Sequence, residues 1–197
     1  MSKSKAEQAQ ATQHALLRVG RRLFARRGFD AVSAEEIVAA ANVTRGALYH
    51  HFDGKDGLFR AVVVDVMREV CKRLENDSAG ARSALDAVER GVRSFLDACS
   101  EPAYQRILLI DGPAVLGWHE WRTLDLEHGL GLLRRGLEAA VRTKEIAVAD
   151  VEMTTHLLAG ALIDGALLVG KDRADRATRT RVEATLMQLL RSLSRDP

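Results

Sequence analysis

Cysteine is scarce in this chain. There are two, Cys71 and Cys99, and they form no CxxC pair. Two thiols far apart in a helix-patterned chain point to a reducing compartment and to small buried hydrophobes. Proline is nearly as rare, with three, and aromatics make up only 5%. Ala, Leu, Arg and Val are abundant instead, which favours helix over strand. No apolar run approaches the ~18 residues of a membrane span. The polar start MSKSKAEQAQ has no apolar core of the kind a secretion signal needs. A cytoplasmic protein without a membrane segment is therefore expected. There is no phosphate-cradling Gly loop, no nucleophile elbow and no metal-spaced His cluster. His119 and Glu120 beside His128 lack the HxxxH or HExxH spacing of a metal site. These absences argue against an enzyme, and neither a cofactor nor a metal is expected.

Charge is present but uneven. The net charge is +2, so the whole chain is no polybasic nucleic-acid binder. Residues 1–60 hold ten Lys/Arg against six Asp/Glu, an excess of +4, while the remainder carries −2. The positive end is where phosphates would be met.

The periodicity reads as helix throughout. Residues 1–11 are polar and expected to form a disordered arm, with Lys3 and Lys5 in it. A helix follows from about Thr12 to Arg27, with Leu16, Val19, Leu23 and Phe24 as its apolar stripe and Gly28 suited to its C-terminal cap. Arg18, Arg21 and Arg22 lie off that stripe. A fourth helix spans about 55–76, and further helices about 83–99, from Pro102, about 118–143, about 151–170 and about 175–194. Asp111-Gly112-Pro113 should interrupt the segment that Pro102 opens. Lys171-Asp172-Arg173-Ala174-Asp175 should turn the chain. The fold class is all-α, with about nine helices in two domains, 1–54 and 55–197.

Residues 33–55, SAEEIVAAANVTRGALYHHFDGK, carry the most information. Ser33 with Glu36 three residues on is a capping box, and Val32 with Ile37 can form its hydrophobic staple. Asn42 tolerates the left-handed conformation of a sharp turn. Thr44 can cap a second short helix. Leu48 and Phe52, four apart, should point inward and leave Arg45, Tyr49 and small residues to a partner. This is the pattern of a helix-turn-helix, whose second helix enters the DNA major groove. The helix amides after Ser33 and Thr44 are ready phosphate sites.

Residues 32–59, VSAEEIVAAANVTRGALYHHFDGKDGLF, resemble the DNA-binding domain of the TetR family of transcriptional regulators. The run Ala47-Leu48-Tyr49-His50-His51-Phe52 with Lys55 is the most specific part. The resemblance implies a three-helix DNA-binding domain followed by a larger helical domain for ligand binding and dimerisation. It implies phosphate contacts from Tyr49, His51 and Lys55, and base-edge approach by Arg45, Gly46 and Ala47, with His50 beside them. Arg can bond guanine O6 and N7 with two donors, and Gly and Ala permit close approach. Asn42 stands where many relatives have Gly.

The same resemblance implies an effector cavity among the middle helices. Met67, Cys71, Phe95, Cys99, Tyr104, Asp111, Trp118, Trp121 and His128 are its candidate walls, with Ile107 and Leu124. The small-residue helix about 151–170 and the last helix, about 175–194, should form a four-helix dimer seam, across which His156 and Asp164 could bond. The expected function is a sequence-specific, ligand-responsive transcriptional regulator, most often a repressor, binding a pseudo-palindromic double-stranded operator as a homodimer. The rival is a helical ligand- or partner-binding protein without DNA recognition.

Overall fold

The computed structural model describes residues 4–170 and 176–194. The expected turn at 171–175 and Lys3 lie outside them. Among the described residues there are nine helices and no strand, in accord with the all-α expectation. In chain order they are α1 Lys5–Arg27, α2 Ala34–Ala41, α3 Arg45–Phe52, α4 Gly54–Ser78 and α5 Ala84–Cys99. Next, α6 runs Pro102–Tyr104, then a π-helical turn Gln105–Asp111, then Gly112–Leu116. Similarly, α7 runs Trp118–Asp125, a π turn Leu126–Leu130, then Gly131–Arg142. The last two are α8 Val151–Gly170 and α9 Arg176–Arg191.

Two boundaries differ from the sequence reading. The expected arm is helical from Lys5, because Ser4 and Glu7 make a complete capping box: the Ser4 N–H donates to Glu7 at 2.7 Å and the Glu7 N–H to the Ser4 hydroxyl at 3.2 Å. Asp111-Gly112-Pro113 does not interrupt α6. Proline is tolerated there because it falls in the first turn of the α-helical stretch that succeeds the π turn.

The chain forms two compact units. The first comprises Met1–Val66 and Arg106–Trp121, so it takes in the start of α4 and a segment from the middle of the chain. The sequence reading expects a boundary at 54/55; in this unit Leu58, Phe59, Val62 and Val63 of α4 are wholly buried. Phe59 meets Phe24 edge-on at 5.2 Å and Phe29 at 5.0 Å between ring centres. Such contacts contribute about 0.5–1.5 kcal/mol each beyond area burial. Gly57, in the first turn of α4, is required by the tight α3–α4 corner. A Cβ there would stand 1.6 Å from the Phe52 carbonyl oxygen.

The second unit comprises Met67–Gln105 and Arg122–Pro197. Within it α8 packs on α5, α7 and α9, and α5 on α7. Val92, Leu96, Leu137, Ala140, Ala166 and Leu190 form its core. The Glu145 carboxylate caps α5 from outside, accepting from the Ala84 and Leu85 N–H groups at 3.0 and 2.8 Å. An ion network ties α9 to α5. Glu89 accepts two Arg191 bonds at 2.8 and 3.1 Å, and Arg93 bridges Glu89 and Glu183 at 3.2 and 2.9 Å. Among the described residues α8 is the one helix long and apolar enough, by length and composition, to cross a membrane, a test that the core helix of a soluble protein also passes. The apolar character of α8 comes from Leu157, Leu158, Leu162, Ile163, Leu167 and Leu168, interrupted by Thr154, Thr155, His156 and Asp164.

Candidate nucleic-acid interface

The two short helices form as their sequences dictate. Ser33 accepts from the Glu36 N–H at 3.1 Å while Glu36 accepts from the Ser33 N–H at 2.9 Å, closing the capping box. That backbone bond, with Arg27 at 2.6 Å, holds the Glu36 carboxyl below its ordinary range. Val32 and Ile37 are both buried, as a staple needs. Asn42 takes the left-handed conformation at φ 55° and turns the chain. Thr44 then starts α3, its hydroxyl accepting from the Ala47 N–H at 3.2 Å. Asp53, also left-handed at φ 59°, ends it.

Burial sorts the side chains of α3 cleanly. Leu48 is fully buried and Phe52 is 9% exposed, while Arg45, Gly46 and His50 are exposed and Tyr49 is 49% exposed. Ala47 and His51 are half-buried. The Arg45 guanidinium lies 5.6 Å from the Tyr49 ring centre and 2.9 Å from the Glu35 carboxylate. Tyr49 first, then Glu35, raises its already high pKa, so it stays charged. The Arg45–Glu35 pair is open to water on both sides, and such pairs are worth ~0–1 kcal/mol. Arg45 can therefore exchange its partner for a base edge at little cost. Glu35 was not foreseen as part of this surface; its place beside α3 depends on the angle of the turn. On α1, Arg18, Arg22 and Arg26 are exposed at four-residue steps, whereas Arg21 pairs with Asp65 at 3.5 Å.

Lys55 stands apart from that surface chemistry. Its ammonium donates to the Phe29 carbonyl at 3.2 Å and the Val32 carbonyl at 3.1 Å. It also lies 3.8 Å from the Phe29 ring centre. It binds together the loop that precedes α2.

The expected effector walls divide between the units. Asp111, Trp118 and Trp121 belong to the first, where Trp121 is buried and donates from Nε1 to the Leu108 carbonyl at 2.7 Å. Trp118 is 64% exposed and lies over Trp121 at 5.3 Å. Asp111 does not cap the stretch after it; its carboxylate accepts from the Phe29 N–H at 2.9 Å. Met67, Cys71, Phe95, Cys99, Tyr104 and His128 belong to the second. Tyr104 donates to Glu69 at 2.5 Å. Burial pushes the thiols up, Cys71 to about 11 and Cys99 to about 12, so both stay protonated.

A half-buried polar group in the second unit was only partly foreseen. Arg122 donates to Asp125 at 2.7 Å and to His156 Nδ1 at 3.3 Å. Arginine has no acceptor, so the imidazole proton sits on Nε2. Burial raises the Asp125 pKa, with Arg122 opposing. The sequence reading offers His156 for a bond across the dimer seam; its Nδ1 bonds Arg122 within its own chain.

Comparison with known proteins agrees with this geometry. Residues 16–62 match the family described as bacterial regulatory proteins, tetR family, and residues 85–193 match the Tetracyclin repressor-like, C-terminal domain. The Transposon Tn10 TetC protein of Escherichia coli is 27% identical over 78% of each chain. The HTH-type transcriptional regulator AcrR of Shigella flexneri is 42% identical over 32% of this chain and 29% of its own. Among solved structures, a TetR-family transcriptional regulator from Pectobacterium atrosepticum superposes with a TM-score of 0.83 and 31% identity, over 99% of this chain and 100% of that one. RolR in complex with its ligand resorcinol shares the fold, with a TM-score of 0.74 and 18% identity over 98% and 97% of the two chains.

Proposed function

Because this chain belongs to the TetR family of helix-turn-helix transcriptional regulators, whose members bind DNA operators and ligands and typically dimerise, we propose that it is a cytoplasmic, ligand-responsive repressor reading a pseudo-palindromic operator as a homodimer. The observation that carries this reading is the sorting of α3, with Leu48 and Phe52 inward and Arg45, Gly46, Tyr49 and His50 outward on a capped helix. In this assignment Arg45 reads a base, Gly46 and Ala47 allow the helix to approach, and Tyr49, His50 and His51 meet phosphates with the amides behind Ser33 and Thr44. Lys55 holds the reading head in place and is not assigned a phosphate.

A homodimer is supported by the outer face of α8. Met153, Leu157, Gly160, Asp164 and Leu168 follow at steps of four, three, four and four, and all are exposed, Leu157 by 76%. Residues at those steps share one helix face. Leu189 of α9 is exposed as well. A second copy would cover them and supply the second recognition helix that a specific site needs.

For the effector, the second unit supplies Met67, Cys71, Phe95, Cys99, Tyr104 and His128, with Arg122, Asp125 and His156 as polar anchors. Asp111, Trp118 and Trp121 are left out because they serve the first unit. Genome-wide selection of bound DNA tests the function. Recovery of a two-fold symmetric site, weakened base-specifically by Arg45→Ala, is the expected outcome. Recovery of no preferred site would reject it.

A further inference from the structure

The loop between α1 and α2 is held by a residue 82 positions away in the chain. Phe29 donates its N–H to the Asp111 carboxylate at 2.9 Å, and its carbonyl accepts from Lys55 at 3.2 Å. With the same ammonium over its ring, Phe29 is gripped at amide, carbonyl and side chain. Lys55 also bonds the Val32 carbonyl, and the next residue, Ser33, is the N-cap of α2. The grip thus ends where the helix-turn-helix begins.

Asp111 closes the π turn Gln105–Asp111. In an α-helix, residues five apart point roughly 140° from each other. A turn with i→i+5 bonds is wider and reduces that angle. Arg106 and Asp111 are five apart, and both lie against Gly28. A Cβ at Gly28, whose φ is +82°, would stand 2.8 Å from Arg106 Nη1 and 3.3 Å from Asp111 Oδ2. Both side chains therefore lie on the Gly28 side of the turn.

We infer that Asp111 is a positioning residue for DNA recognition: from the end of the π turn it holds the Phe29 loop, and with it the start of α2, in place. The inference rests on the DNA-binding reading above. Without that bond, Lys55 alone would hold the loop. By linkage, DNA that orders the loop must also act back on the turn.

Hydrogen exchange on the full chain, with and without a duplex recovered by selection, tests this. In the wild type, DNA slows exchange at the Phe29 amide and across 105–111. In Asp111→Ala the Phe29 amide exchanges freely, 105–111 no longer responds, and DNA affinity falls about tenfold, the scale of one lost charge-assisted hydrogen bond. Asp111→Asn keeps an oxygen acceptor and restores most of both. The salt dependence of binding is the same in all three, since no phosphate contact is lost. The inference is overturned if DNA binds the wild type without altering 105–111, or if Asp111→Ala binds as tightly with its Phe29 amide still protected. Should Asp111→Ala not fold, the wild-type response and Asp111→Asn decide it. A wild type that binds no DNA refutes the functional reading and this inference together.

Discussion

Replacing Lys55 by Met keeps the alkyl stem and removes the ammonium. Two charge-assisted hydrogen bonds and one cation–π contact are lost. Bonds to charged donors contribute ~1.5–3 kcal/mol each, and the ring contact ~0.5–1. Against this stands the ~2 kcal/mol of rotamer entropy that an ordered Lys gives up. The site is only half-buried, so water recovers part of the loss at the two carbonyls. A net destabilisation of about 2 kcal/mol follows. The protein supplies its own probe. Its two tryptophans, Trp118 and Trp121, both lie in the first unit, so their fluorescence in urea reports that unit. With a denaturant slope of ~1–3 kcal/mol/M, the midpoint should fall by about 1 M. The salt dependence of DNA binding should keep its slope, because no phosphate contact has gone. If Lys55 gripped a phosphate instead, the slope would drop by ~0.9 and the urea midpoint would barely move. That pattern would refute the positional role.

Arg45→Ala should cost about 1–3 kcal/mol of operator affinity and relax preference at one base position, read from a series of mutated operators. Glu145 is held at about 2, against 4.5 ordinarily, by the Ser83 hydroxyl first and the Leu85 amide next. A lowered carboxylate stabilises above its unfolded pKa, so its contribution is whole at neutral pH and fades as pH drops from ~4.5 to ~2. Allowing for solvent screening, Glu145→Gln should lose about 1 kcal/mol at pH 7 and nothing near pH 2, in urea titrations followed by circular dichroism. Leu157→Glu on the exposed face of α8 should convert a dimer to a monomer in sedimentation, leaving helicity unchanged and weakening operator binding. A monomeric wild type would dispose of the proposed seam.

What could be read from sequence was local. Ser33 with Glu36, Asn42, Thr44 and Gly28 announce themselves because their partners lie within a few residues. Leu48 and Phe52 follow from helical spacing alone. Ser4 with Glu7 carried the same spacing as Ser33 with Glu36, so the early start of α1 was legible there and was missed for want of an apolar stripe behind it. The distant partners were not legible. Nothing around Asp111 names Phe29, nothing around Glu145 names the start of α5, and nothing at Lys55 shows two carbonyls converging on it. The π turns were hidden as well, since their composition is that of ordinary helix and only the side chains they realign betray a purpose. The effector walls suffered most, because a list of apolar residues from the middle helices cannot show which compact unit each one joins.

Gly57 carries no charge, touches no base and would attract little interest in a survey of the reading face. Yet with a carbonyl oxygen 1.6 Å from where any side chain must begin, every missense change at its codon forces the α3–α4 corner open. A genetic selection for cells that have lost control of the target promoter should therefore return Gly57 alleles repeatedly, scattered over all possible replacements. At Arg45, by contrast, some replacements would merely shift which promoter is recognised.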